Sequence, residues 1–240
     1  MTRLFAAALV GLGAASAAAA QAAPAAGRFQ VTPMIGVMRY DRTTALSSTE
    51  SGLSTKLYPT AGLLAAYTLR PNIQVGAYLE AARPETDPQY YPYALIQTTG
   101  SIQLFEITQR VVVLSYGLAA TVTLPVVPRL GPYLRGGVGL HTVFPDVQRA
   151  QSTETISGTE FMLGGGLNYA VSDAVGIRLE LTDFMWTNWD RDDLNPVAPA
   201  FQNTIFPEDN PSGITWPKPG LVHNMRFALG FTFTPTGAGR

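Results

Sequence analysis

The stretch AVGIRLELTDF (174–184) puts Val175, Ile177, Leu179 and Leu181 on one side of an extended chain and Gly176, Arg178, Glu180 and Thr182 on the other. Successive side chains of a strand point to opposite faces, so this period of two predicts a strand with one apolar and one polar face. The same alternation recurs in IQVGAYLEA (73–81), in EFMLGGGLNYAV (160–171) and in LVHNMRFALGFTF (221–233). A chain built this way has two solutions. Either the apolar faces meet in a core and Arg178 and Glu180 meet water, or the apolar faces meet lipid and the charges point into a packed lumen.

The connections separate the two. Eight strand-like segments are expected at about 29–41, 58–70, 73–83, 102–124, 130–144, 159–172, 175–189 and 220–234. Those after the second, fourth and sixth are short: RPN (70–72), PVVPR (125–129) and SDA (172–174). Those after the odd-numbered segments are long, covering 42–57, 84–101, 145–158 and 190–219, and both chain ends fall on the short side. Tight turns on one side and long loops on the other are the asymmetry of an even-stranded up-and-down barrel threaded through an outer membrane. A soluble meander has no reason to segregate loop length.

Charge usage agrees. Charged residues are 14% of the chain, against about 25% in an ordinary soluble protein. The net charge of −1 provides no basic footprint for nucleic acid. The absence of Cys removes disulfides and thiolate ligands. Residues 1–22 read as a signal peptide: Arg3, an uncharged Ala-rich run from Leu4, and Ala20-Gln21-Ala22 as the cleavage signal, with cleavage after Ala22 and an exported barrel domain over 23–240.

One run competes with the strand reading. Residues 111–128, VVVLSYGLAATVTLPVVP, carry no charge, which is the length of a membrane helix. Eight of the eighteen are Val or Thr, Pro125 and Pro128 break the end, and Ser115 to Leu124 alternate. A strand is expected, with an irregularity near Val111–Val113 where the alternation changes phase.

Placing the polar parity inside collects Glu80, Arg135, Glu160, Arg178, Glu180 and Arg226 in the lumen, with Gln30, Gln74, Asn168 and Asn224 between them. Three acids and three arginines can neutralise one another, which is the condition for burying charge. A one-residue slip would turn the arginines to lipid, where one near the midplane costs roughly 2–4 kcal/mol. The glycine runs RGGVG (135–139) and LGGGL (163–167) are expected to make room for the long arginines. Outside, Tyr67, Tyr169, Phe231 and Phe233 near the short turns, with Trp186 and Trp189 at the other end, are expected to form two aromatic girdles. Eight strands leave a lumen that side chains fill, which argues against a general diffusion porin.

Chemistry is sparse. The only histidines, His141 and His223, lie near the long-loop ends of their strands, with no Ser within two residues of either. A nucleophile needs such a partner and an orienting carboxylate; Ser152 or Ser157 would have to supply it through space. No spacing supports a metal site on the two histidines. In the acidic loop 190–219, DRDDLN departs from the calcium-loop spacing because Leu194 holds the fifth place; weak divalent-cation contact there stays open. The loop 87–95, DPQYYPYAL, offers tyrosines suited to partner contact. No nucleotide motif is present, and no cofactor, catalytic residue or metal ligand is expected.

The leader, the eight segments, turns such as that in NYAVSDAVGIRLEL, and the aromatic-alternating last segment MRFALGFTF together resemble the small outer-membrane β-barrels of the OmpA/OmpX type. The last segment is similar to the C-terminal signal read by the barrel-assembly machinery, although seven residues follow Phe233. The resemblance implies an all-β, eight-stranded antiparallel transmembrane barrel in the outer membrane. It further implies a structural or surface-interaction role through extracellular loops, with outer-membrane lipids, lipopolysaccharide and a surface ligand as partners. A narrow pore or hydrophobic-solute conduit, a lipid-modifying enzyme and a soluble periplasmic barrel are the alternatives.

Overall fold

The computed structural model describes residues 26–44, 46, 56–86, 93–98, 101–106, 110–124, 129–145, 155–190, 194 and 220–235. The leader 1–22 and most of the acidic loop 190–219 lie outside the described residues. The strands are β1 (Phe29–Arg39), β2 (Tyr58–Arg70), β3 (Ile73–Ala82), β4 (Tyr93–Thr98), β5 (Ser101–Glu106), β6 (Val111–Thr123), β7 (Leu130–Pro145), β8 (Ile156–Ala170), β9 (Val175–Thr187) and β10 (Leu221–Phe233). Eight of them close in the order β1-β10-β9-β8-β7-β6-β3-β2, each antiparallel to its neighbours, while β4 and β5 pair as a separate hairpin. Among the described residues no helix is long and apolar enough to cross a membrane.

The ladder fixes the tilt. From Met185 on β9 the lateral partners run through Phe161, Val138, Leu118, Ala77, Ala65, Val31 and Phe233 back to Val175, again on β9 and ten residues below the start (185 to 175). A shift of that size around eight strands corresponds to a tilt of about 40° and a lumen just wide enough for side chains. The short ends are tight turns. Arg70 pairs Ile73 across Pro71 and Asn72. Ser172 closes the β8–β9 turn by accepting the N–H groups of Ala174 and Val175 at its hydroxyl. Arg129, entering β7, takes a left-handed φ of 69°.

The parity runs as the alternation predicts. Ile35, Leu79, Leu118, Leu134, Leu163, Leu181 and Phe227 are exposed on the outer wall, whereas Glu80, Arg135, Arg178, Glu180 and Arg226 are buried inside. An exposed belt of Leu, Val and Phe around a buried charged interior is stable only against lipid.

Two expectations about the fourth segment are corrected. Residues 102–124 are not one strand: β5 belongs to the hairpin in the second long connection, between β3 and β6, and β6 starts at Val111. There is also no irregularity at Val111–Val113. β6 pairs β7 without a shift from Val111 to Thr123, and Val111, Val113, Ser115, Ala119, Thr121 and Thr123 all face inward. The change of residue type marks the outer mouth, where the lumen itself is apolar.

Candidate functional site

The lumen gathers the charged layer of the barrel, Glu80, Arg135, Arg178, Glu180 and Arg226, and it is layered. Near the short turns it holds amides and hydroxyls: Gln74 Nε2 donates to Gln30 Oε1 at 2.9 Å, Gln30 Nε2 to Thr234 Oγ1 at 3.2 Å, and the Thr32 and Thr232 hydroxyls meet at 3.0 Å.

The charged layer lies above. Arg178, Glu180 and Thr182 alternate along the inner face of β9, and Arg226 of β10 stands beside Thr182. Glu180 is the hub. Its Oε2 accepts Arg135 Nη1 at 2.8 Å, Tyr133 OH at 2.9 Å and Arg178 Nε at 3.1 Å; its Oε1 accepts Thr182 Oγ1 at 2.8 Å and Arg226 Nη2. The other end of the Arg226 guanidinium, Nη1, donates to Glu80 on the far wall. The Arg178 guanidinium lies over the Tyr133 ring, 3.9 Å from its centre, and its Nε donates to that hydroxyl at 2.7 Å. Arg178 Nη2 is 3.1 Å from Glu180 but off the hydrogen-bond line.

Glycines permit this reach. Arg135 stands beside Gly164, and Gly164 beside Thr182, so no side chain of β8 blocks its path to β9. A Cβ on Gly166 would sit 2.8 Å from the Tyr133 hydroxyl and one on Gly62 would sit 2.0 Å from Glu80 Oε2. The glycines therefore admit a tyrosine and a carboxylate as well as the arginines that the sequence emphasised.

Glu160 stands apart from this cluster. Instead of an arginine it has three neutral donors: Ser115 Oγ at 2.6 Å, Trp186 Nε1 at 2.8 Å and Tyr78 OH at 2.9 Å. The expected set of six thus resolves into a five-membered ion cluster and one carboxylate held by hydroxyls and an indole.

The outer mouth corrects the girdle. Tyr67, Tyr169, Phe231 and Phe233 are exposed on the outer wall near the short turns, but Trp186 and Trp189 are 0% and 2% exposed and point inward. Trp186 has the even parity of Arg178 and Glu180, and Asn188, at a left-handed φ of 56°, breaks the strand so that Trp189 folds over the opening. Trp186 stacks on His141 with centroids 4.3 Å apart and lies 5.2 Å from Trp189 and 5.8 Å from Tyr40. Leu46 and Leu194, from two long connections, are buried in the same cluster.

The histidines part company. His141 is buried in that stack, while His223 is exposed on the outer wall with its Nδ1 2.7 Å from Asp183 Oδ2. Among the described residues no group of three His, Cys, Asp or Glu side chains could hold a metal. Residue type alone does not single out Tyr78, Tyr133 and Ser115, yet each shares the inward parity of its strand's charged or small residues.

A closed eight-stranded barrel with an apolar outer wall and charged lumen narrows the comparison to one class of protein. Residues 5–199 match the model of the outer membrane protein beta-barrel domain family. The chain belongs to that family, and it is an outer-membrane protein. The match ends before β10, the strand that closes the ring. Among solved structures the chain is similar to neisserial surface protein A at 12% identity and a TM-score of 0.50, covering 85% of this chain and 96% of that one. OprG from Pseudomonas aeruginosa follows at 11% identity, TM-score 0.47, covering 90% and 100%. Ail of Yersinia pestis, in complex with the heparin analogue sucrose octasulfate, stands at 11% identity, TM-score 0.42, covering 87% and 99%. At such identity the neisserial likeness is one of fold alone. No curated protein matches the chain.

Proposed function

We propose that the protein is a closed outer-membrane barrel whose role is structural or one of surface interaction, exercised by its long loops, with the lumen plugged by the Arg/Glu cluster. The observation that carries this reading is the hub: three guanidiniums converge on Glu180 at mid-lumen, and Arg135, Glu180 and Arg226 are each no more than 1% exposed. The aromatic cluster of Trp186, Trp189, Tyr40 and His141 supports it by stopping the mouth above. Separating buried ion pairs leaves uncompensated charge in a low dielectric, so the plug resists opening. Among the described residues His141 Nδ1 has no hydrogen-bond partner, and its ring packs against Trp186 and Trp189, so a lumenal enzyme site is not part of this reading. The test is electrical: purified barrel in planar bilayers should give no steady conductance, and proteoliposomes should exclude small sugars. Discrete single-channel steps from the unmodified protein would overturn the plug.

A second reading, a narrow aqueous path, is favoured by one specific observation. Asn168 Oδ1, Arg135 Nε, Arg226 Nε and Glu80 Oε1 are buried without a protein partner, and buried polar atoms of that kind call for water. Osmotic water permeability above that of empty liposomes, without ion current, would favour this second reading over a dry plug.

A further inference from the structure

The lumen leaves one ionisable pair unexplained. Asp183 has the outward parity of β9 and His223 that of β10, so both lie on the wall that faces lipid. The wall around them is apolar: Leu181 and Phe227 below, Met225 between and Leu221 above, all exposed. An ionisable group on a lipid-facing wall is costly and is by default a functional-site hypothesis. The barrel does not need this one, since neither side chain reaches the lumen.

Two further facts say what it is placed to meet. Asp183 stands four residues below the end of β9 at Thr187, about 10 Å at the rise and tilt of these strands. That places the pair in the upper fringe of the apolar band, where acyl chains give way to headgroups. Next to it, Arg39 of β1 pairs laterally with Met225, which pairs with Asp183. The tilt lifts Arg39 toward the level of His223. Arg39 is exposed, and among the described residues it has no acidic partner. His223 engages Asp183 through Nδ1, which directs Nε2 away from the carboxylate. The neighbouring acid, Asp41, is turned to its own loop, accepting Thr43 N–H and Thr43 Oγ1 at 2.8 Å each.

We propose that Arg39 and the Asp183-oriented His223 form a seat for the phosphate of a phosphorylated outer-leaflet lipid, with the acyl chains lying along the Leu181–Phe227 wall. Arg39 supplies the fixed positive charge and His223 Nε2 the second contact. Asp183 is a positioning residue that holds the ring. This goes beyond the proposed plug and does not depend on it, because every residue concerned is on the outside of the barrel.

The test uses the whole mature protein in bicelles, with phosphorylated lipid A as probe and phosphate-free lipid A of the same acyl chains as control. Binding is read by lipid titration and by the ring NMR signals of His223. The phosphorylated lipid should bind about tenfold or more tightly than the control, and Arg39→Gln and His223→Gln should each weaken it by about tenfold, the scale of a lost charge-assisted hydrogen bond. Asp183→Asn should weaken it less and shift the His223 ring signals even without lipid. Arg83→Gln, which removes an exposed arginine beyond β3, should leave affinity unchanged, and heat-modifiable gel mobility should report intact folding in every variant. Equal binding of both lipids, or an effect of Arg83→Gln as large as that of Arg39→Gln, would overturn the site. So would release of free fatty acid by the unmodified protein, which would make the pair a hydrolytic dyad instead.

Discussion

Arg135 Nη1 meets Glu180 Oε2 at 2.8 Å with both side chains only 1% exposed, although they come from strands separated by β8. The contact spans β8 because the residues of β8 facing Arg135 and Glu180 are both glycines, Gly164 beside Arg135 and Gly166 beside Glu180. It makes Glu180 the common counter-ion of three arginines, so its removal strands more charge than an ordinary pair would. Glu180→Gln should destabilise the barrel by about 3–5 kcal/mol, the cost of leaving buried charge uncompensated. Equilibrium urea unfolding in detergent micelles measures this. Glu80→Gln should cost less, since it relieves one end of Arg226 alone. Equal losses for the two variants would remove Glu180 from its central place.

The glycines of the two runs differ sharply from one another. A Cβ on Gly166 would fall 1.8 Å from the backbone oxygen of Leu179, whereas one on Gly136, on the outer wall, would have nothing nearer than 3.9 Å. Backbone atoms cannot yield as a flexible side-chain end can. Gly166→Ala should therefore lower refolding yield severely and Gly136→Ala should be close to neutral, as scored by the fraction of heat-modifiable, folded protein. A well-folded Gly166→Ala would mean that β8 and β9 can separate there.

These positions show what was legible in the sequence. Period-two alternation and the short-long rhythm of the connections carried the barrel and the inward set, because lipid outside and charge inside demand strict parity. Aromatic type at a strand end points Trp186 and Trp189 to the outer girdle, but parity overrides it. Trp186 shares the parity of Arg178, and position 189 depends on the left-handed turn at Asn188, which residue type alone does not announce. The grouping of Glu160 with the arginines failed for another reason. Parity gives the face of a strand but not the height at which a tilted strand delivers a side chain, and here that height places Glu160 among Ser115, Tyr78 and Trp186. From sequence, β5 runs on into the next strand because no proline or glycine marks the break at 107–110, and Glu106 and Arg110 do not by themselves end a strand.

Trp186 connects the two upper layers, donating its indole N–H to Glu160 while its ring stacks on His141. Trp186→Phe keeps an aromatic ring in the stack but takes one of three donors from a buried carboxylate. The expected loss is about 1.5–3 kcal/mol, the range for hydrogen bonds to charged groups. The near-UV circular dichroism from the coupled Trp186–Trp189 pair should disappear at the same time. A stability change within about 0.5 kcal/mol, typical of an unimportant surface site, would show that Glu160 does not need the indole.

At the outer rim, Glu85 lies between Lys56 and Arg110 and bridges to the backbone of Arg110. The hydrogen bond from Lys56, aided by that from Arg110, holds its carboxyl below the usual glutamate range. A depressed folded-state pKa means that the unfolded chain takes up the proton first. The stabilisation is therefore present above the ordinary glutamate pKa and is lost as pH falls through the lower, folded value. The groups are partly exposed, so salt should weaken the effect. Carboxyl NMR titration of Glu85 should show a midpoint below that of an unperturbed glutamate, moving up in Lys56→Gln and, by a smaller step, in Arg110→Gln. A larger step for Arg110→Gln would reverse the order of the two contacts and make the bridge to β6, rather than the tie to Lys56 just before β2, the stronger hold on this part of the rim.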